Sequence, residues 1–146
     1  MNGIAFDPGI ANTGVAYNDG ELIGYRTLTS DPKSSPAHRI AEIVLSLTAL
    51  EGGVWDYCVI EDYVGAFGND TKKEIGALIA VAVLSERFYL VHPKVWVKEM
   101  FPKSRDYKKA AMKLAKKRGL CPRTQHEADA ICLHEWGRKQ CEKARG

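Results

Sequence analysis

Three acids of this chain stand where an acid does little for folding. Asp7 closes the run GIAF, Glu61 closes YCVI, and Asp129 lies inside HEADAIC. A carboxylate placed straight after an apolar run is poorly explained by packing, because a buried charge has to be paired or to bind a metal. For Asp7 or Glu61 alone, the ordinary reading is a surface acid at a strand end. On a helix, residues three apart lie about 60° apart round the axis, so His126 and Asp129 share a face. Glu127 stands about 200° from Asp129 and points elsewhere. The ordinary reading of His126 alone is a residue at a helix N-terminal cap. Together, three carboxylates and a histidine fit one role. Two magnesium ions about 3.5–4 Å apart can activate a water and stabilise the leaving oxygen of a phosphodiester. Magnesium prefers carboxylates, waters and phosphate oxygens. No competing set is present: GxSxG, HExxH and the Walker A motif are all absent. Asp7-Pro8-Gly9, with Gly14 further on, has some look of a phosphate loop, but two glycines are a weak signal.

These residues need a scaffold. Residues 2–7 alternate apolar and other side chains and read as a strand. Pro8, Gly9, Asn12 and Gly14 punctuate a turn. Val15 to Tyr17 read as a second strand, Asn18-Asp19-Gly20 as a hairpin signal, and Glu21 to Leu28 as a third strand. After a polar loop, His38 to Leu50 read as an amphipathic helix with Ile40, Ile43, Val44 and Leu47 at helical spacing, stopped by Gly52-Gly53. Tyr57 to Ile60 form a short buried strand ending at Glu61. Tyr63 to Thr71 read as a loop, Lys72 to Arg87 as a second helix, and Phe88 to Val91 as a fifth strand. Pro93 opens a short helix. Ser104 is expected to cap a basic helix running to about Lys117 and ended by Gly119. Gln125 to Cys141 form the last helix. The order β-β-β-α-β-α-β-α-α-α predicts one α/β domain with a mixed sheet. Strand ends in such sheets border a crevice where ligands bind, and Asp7 and Glu61 fall at two of them.

Composition agrees with one intracellular domain. The chain has 146 residues, 45% of them hydrophobic, enough for one core. The start, MNGIAFDPG, lacks the basic and apolar runs of a leader, and Ile75 to Leu84 is too short to span a bilayer. A soluble, cytoplasmic protein is expected. Cys58, Cys121, Cys132 and Cys141 form no CxxC pair, and a zinc site from Cys121, His126, Cys132 and His134 matches no strong spacing. Net charge is +3 but uneven: Lys94 to Arg118 holds ten Lys or Arg against Glu99 and Asp106. A basic segment beside an acidic remainder suits a protein that grips a polyanion while its carboxylates hold metal ions. The plainer reading of that segment is a solvated lysine-rich helix face.

Several stretches resemble the RuvC-type Holliday junction resolvases of the RNase H-like superfamily. IAFDPGIANTGVAY is similar to their first-strand motif, an acid followed by Pro-Gly and then Thr-Gly. VIEDYV resembles the second motif, with Glu61 at the metal-binding glutamate. KKEIGALIAVAVL is similar to the helix that follows, and VHPKVWVKEM to the stretch with a proline and then a DNA-contacting lysine. HEADAICLH resembles the last motif, with an acid or His three residues before an Asp. The match covers nearly the whole chain in order, and the chain is short for the cellular enzymes, as a phage or viral-type member would be. The resemblance implies an RNase H-like fold spanning residues 1–146. It further implies a homodimer that cuts four-way DNA junctions in recombination and repair with two Mg2+ ions per site, for which Mn2+ substitutes, leaving 5′-phosphate and 3′-hydroxyl ends. It makes Asp7, Glu61, His126 and Asp129 the catalytic metal site. Lys98 and one of Lys108 or Lys109 become the phosphate contacts nearest the cut, with Lys113 further along the same helix and Lys116 expected on its far side. A junction-opening aromatic falls at Tyr63 or Phe67, which the plainer reading packs into the loop. The alternatives are a related nuclease acting on other branched DNA or RNA, and a junction-binding module without catalysis.

Overall fold

The computed structural model describes residues 1–19, 22–48, 55–63, 65, 68–82 and 85–146. Three strands open the chain: β1 (Gly3–Asp7), β2 (Asn12–Asp19) and β3 (Leu22–Thr29). They are followed by α1 (Pro36–Thr48), β4 (Tyr57–Glu61), α2 (Asn69–Ala82), β5 (Phe88–Val91), α3 (Pro93–Met100), α4 (Tyr107–Lys117) and α5 (Gln125–Arg145). The sheet order is β3-β2-β1-β4-β5. β1, β2 and β3 pair antiparallel, whereas β4 and β5 join parallel to β1. This is the mixed five-stranded α/β sheet flanked by helices that the element order predicts.

The period of two along each strand sorts the core. Ile4 and Phe6 of β1, with Cys58 and Ile60 of β4, pack with Ile43 and Leu47 of α1 and Ile75 and Leu78 of α2. The alternate residues Ala5, Tyr57 and Val59 pack against α5 through Ala128, Cys132 and Trp136. Asp7 follows Ala5 and Glu61 follows Val59 on that α5 face. The register Phe6↔Ile60 then sets Asp7 and Glu61 side by side at adjacent strand ends. α5 lies close because small residues meet there. A Cβ on Gly14, the partner of Asp7 across β2, would come within 2.1 Å of the His126 carbonyl oxygen. Only glycine lets the first turn of α5 reach the sheet at that point.

Several boundaries differ from expectation. Asn12 to Gly14 belong to β2, since they pair with Thr29, Leu28 and Thr27 instead of turning. The hairpin register Asp19↔Leu22 is formed, and its turn residues Gly20 and Glu21 lie outside the described residues. α1 begins two residues early, at Pro36, a favoured first helical position. The Gly52-Gly53 stop and Leu50 lie outside the described residues. α2 begins at Asn69, and Ser85 to Arg87 are not helical. There the Glu86 amide donates to the Trp55 carbonyl and the Ser85 hydroxyl to the Arg87 carbonyl, a turn that delivers the chain to β5. The cap of α4 is Asp106, whose Oδ1 accepts from the Lys109 amide, while Ser104 accepts from the Asp106 amide one step earlier. α5 runs past Cys141 to Arg145, held by the Arg138–Glu142 ion pair and by Arg145 on Asp56. Gly119 takes the left-handed conformation, φ 76°, that ends α4. Among the described residues no helix is long and apolar enough to cross a membrane.

Candidate active site

The four residues expected to do chemistry converge at the C-terminal ends of β1 and β4. Thr124 caps α5, accepting from the Glu127 amide, so His126 is free of the capping role. Its Nδ1 instead lies 2.7 Å from Asp7 Oδ2. Asp129, one turn on, is buried and accepts from Gln125 Nε2 at 2.7 Å. Glu61 accepts from the indole Nε1 of Trp96 on α3. Glu127 faces away, as its angle on the helix requires: it is buried, accepts from the Arg123 amide at 2.7 Å and lies near Thr27.

The electrostatics follow from this crowding. Burial holds Glu61 well above the usual carboxylate range. The Asp7 carboxylate adds to this through its charge and a direct side-chain hydrogen bond, against the opposing bond from Trp96. Asp129 is pushed up to about 6, by burial first, with Gln125 opposing and the charge of Asp7 reinforcing. His126 is raised above its ordinary value by its hydrogen bond to Asp7. Among the described residues no lysine or arginine forms a salt bridge with Asp7, Glu61 or Asp129. Lys108 is felt at Asp129 as a charge only.

Three desolvated carboxylates that, among the described residues, pair with no guanidinium or ammonium have the oxygen chemistry that could hold a hard divalent cation. Each acid is turned towards a protein donor: Asp7 to His126, Asp129 to Gln125 and Glu61 to Trp96. Accordingly, among the described residues no three His, Cys, Asp or Glu side chains already stand together round a point where a metal would sit. Closing on a cation takes rotations of these side chains away from their present donors. The four-residue zinc set is dispersed. Cys132 is buried in the core, Cys121 is exposed, and His134 bonds Asn18 at the opposite end of the sheet.

The basic residues divide. Lys108, Lys109, Lys113 and Lys116 line one cleft of about 550 Å³ with Asp106, Met112 and Gln125. Lys116 therefore shares the face of Lys108 and Lys109 instead of lying behind it; eight residues are little more than two helical turns. The cleft reaches Gln125, the residue that holds Asp129. Lys98 is exposed on α3 and lies outside that cleft. It stands about 200° round the helix from Trp96, which faces Glu61. Tyr63 is partly buried against the core, and added Cβ atoms on Gly65 or Gly68 would meet its ring. Phe67 lies outside the described residues.

Four neighbours of the cluster escape a reading by motif. Gln125 had a signal, its spacing four before Asp129 on one helix. Glu74 had one too, an acid one turn before Leu78 on an apolar face. Trp96 and Tyr107 had none, because only the tertiary fold brings α3 and α4 beside Glu61. Tyr107 packs edge-on to Trp96, 6.1 Å between ring centres, and burial, then the charges of Asp129, Glu61 and Asp7, raise its hydroxyl.

No protein-family model and no curated protein matches the chain. Solved structures do. A Thermus thermophilus RuvC structure aligns with a TM-score of 0.69 and 16% identity, over 100% of this chain and 97% of that one. T. thermophilus RuvC in complex with Holliday junction substrate gives 0.65 and 18%, over 100% and 96%. The fowlpox virus resolvase in complex with Holliday junction DNA gives 0.59 and 17%, over 100% of both chains. At these identities the likeness is one of fold, and the chain has the RNase H-like fold of RuvC and the fowlpox resolvase.

Proposed function

We propose that residues 1–146 form a single nuclease domain that resolves four-way DNA junctions by magnesium-dependent phosphodiester hydrolysis, acting as a homodimer on branched DNA. The observation that carries this is the meeting of Asp7 and Glu61 on adjacent strand ends, with His126 and Asp129 of α5 against them and, among the described residues, no lysine or arginine paired with the three acids. The fold shared with two resolvases solved on Holliday junctions supports the choice of substrate.

Asp7, Glu61 and Asp129 would hold the metal, which when bound supplies Lewis-acid stabilisation of phosphate charge and an acidified water. Asp7, central to the set, is oriented by His126. Being half exposed and raised in basicity, His126 is suited to hold a proton beside the attacking water, or, once neutral, would help to hold the metal. Gln125 and Trp96 hold Asp129 and Glu61 in readiness. The lysine cleft on α4 would give the phosphate backbone a track that reaches Gln125, the residue bonded to Asp129.

The test is cleavage of a mobile four-way junction beside a plain duplex of equal length, with magnesium and then with calcium. Symmetric nicks in the junction alone, in magnesium alone, are expected. Equal cutting of flaps or RNA–DNA hybrids would move the substrate to another branched nucleic acid. Tight binding without cutting would make the chain a junction-binding module.

A further inference from the structure

Thr13 follows Asp7 across the Pro8–Gly9 turn, and its side chain leaves β2 on the α2 face, opposite to Gly14. Its hydroxyl has one hydrogen to give and two lone pairs to offer. Three partners meet it. The Gly9 amide donates to it at 3.4 Å, the Gly9 carbonyl oxygen lies 3.0 Å away, and Oε1 of Glu74 on α2 is in hydrogen-bond contact. The carbonyl oxygen carries no hydrogen and has to receive the one from Thr13. Nothing is then left for Thr13 to donate to Glu74. With Glu74 ionised, one of the two oxygen–oxygen contacts has no hydrogen between its atoms. With Glu74 protonated, all three are satisfied, running Glu74 to Thr13 to Gly9.

Two further observations point the same way. Glu74 is fully buried, and among the described residues its Oε2 has no hydrogen-bond partner. A bare carbonyl oxygen of a neutral acid is tolerable inside a protein, whereas a bare carboxylate oxygen is far costlier. Among the described residues no Lys, Arg or His forms a salt bridge with Glu74. Burial accordingly lifts Glu74 to about 7, with the Thr13 bond opposing and the charge of Asp7 adding.

We infer that Glu74 is a positioning residue that works as a neutral carboxylic acid, clamping the turn after Asp7 from behind the sheet through Thr13. Its hydrogen is what the clamp uses. An amide at the same place also has an N–H to donate and an oxygen that can stay bare, so Glu74→Gln keeps the clamp. Thr13→Val and Glu74→Ala break it. The consequence for cutting rests on the nuclease reading; the protonation does not.

The experiment therefore has two arms on the full chain. In the metal-free protein, side-chain carboxyl carbons of 13C-labelled glutamate are observed at about pH 6, where an unperturbed glutamate is ionised. A protonated-type signal should be present in the parent and vanish in Glu74→Gln. In the other arm, junction cutting in magnesium and junction binding in calcium are compared. Thr13→Val should lose cutting on the order of ten- to a hundredfold with binding unchanged, because misplacing a reacting group costs rate more than affinity. Glu74→Gln should cut within about twofold of the parent, a difference too small to signal a lost contact. An ionised Glu74 signal at that pH overturns the inference, and so does a folded Glu74→Gln protein as impaired as Thr13→Val. A parent protein that cuts nothing would sink the nuclease reading and leave the carbon spectrum to decide this one.

Discussion

α5 carries a histidine near each end of the sheet, and the fold treats the two in opposite ways. His126 is partly exposed, 2.7 Å from Asp7, and raised in basicity by that bond. His134, two turns on, is buried and lowered to about 4 by that burial. Its Nε2 sits 2.8 Å from Asn18 Oδ1, which also accepts from the Gly3 amide, and Tyr57 closes the network at 3.1 Å. The acids differ in the same sense. Glu135, beside His134, has Arg118 at 2.5 Å and Arg138 at 2.8 Å, and although burial opposes it, these hold it below its ordinary value. Among the described residues Asp7, Glu61 and Asp129 have no arginine or lysine partner; only His126 pairs with Asp7, and burial raises Glu61 and Asp129. That asymmetry on one helix separates a structural end, whose charges are paired by arginine, from the end proposed to do the chemistry.

The strongest way to break the comparison is to neutralise the chemical end. Asp7→Asn, Glu61→Gln and Asp129→Asn keep shape and remove charge. Each is expected to lower metal-dependent cutting by at least about a hundredfold, the scale for losing one transition-state stabilising group. Junction binding in calcium should stay close to the parent's. In chelator Glu61→Gln and Asp129→Asn should melt higher, on the order of a few degrees, because burial no longer penalises a charge at either place. A lower melting temperature together with full cutting would show these acids to be ordinary structural residues.

His126 and Glu127 sharpen the contrast within a single turn. His126→Ala should impair cutting roughly tenfold or more, in the range of general acid–base contributions, with little change in stability. Glu127→Ala should do the reverse. It strips the partner of the Arg123 amide and should cost on the order of 1–3 kcal/mol. Thermal melts beside cleavage rates check both, and the opposite ranking would mean that α5 is rotated.

How much of this was legible beforehand depends on the kind of cause. Asp7, Glu61, His126 and Asp129 were readable because each sits at a fixed phase of a local period: the end of a strand, or one face of a helix. The order of elements and the mixed sheet were readable from the hairpin signal and from the alternation of strand and helix; the place of β4 beside β1 was not. α2 was misplaced because Ser85, Glu86 and Arg87 are acceptable helix residues; a backbone bond to Trp55, far off in sequence, turns them. Ser104 and Asp106 are equally good capping types, and only geometry chooses between them. Trp96 and Tyr107 reach the site through the crossing of α3 and α4, which no local period encodes. The side of α4 that meets the cleft was likewise a tertiary matter, so Lys116 was put on the wrong face.

The structural end should show its character in pH. The folded state keeps His134 neutral down to about 4, whereas an unfolded histidine binds its proton near its ordinary value of 6.5. The unfolded chain therefore binds more protons between these values. The stability due to His134 is present above about pH 6.5 and is lost as the pH falls towards 4, to a limit on the order of 3 kcal/mol. His134→Gln should melt lower than the parent at pH 8 and approach it as the pH falls. Cutting per folded molecule should not change. A parent-minus-variant difference that does not vary with pH would mean that His134 takes up its proton as readily in the fold as in the unfolded chain.

The smallest effects belong to the cleft on α4, and they ask how far the chemical end extends. A lysine that neutralises a phosphate releases condensed counterions, so log K falls with log salt by about 0.9 per contact on duplex DNA. Lys108, Lys109, Lys113 and Lys116 share the cleft, so replacing any one of them with Ala should shallow that slope by about one unit. The loss should be alike for different DNA sequences, since phosphate contacts position the duplex and do not read bases. Lys117 is exposed but does not line the cleft, and Lys117→Ala should leave the slope unchanged. Lys108→Ala should differ from its neighbours by also changing the cutting rate, because its charge reaches Asp129. Lys98→Ala then decides the course of the DNA. A shallower slope would carry the track across α3, past the Trp96–Glu61 contact. An unchanged slope would confine it to α4 and bring it to the acids by way of Gln125 alone. Both are read from one salt series in calcium, where binding is measured without cutting.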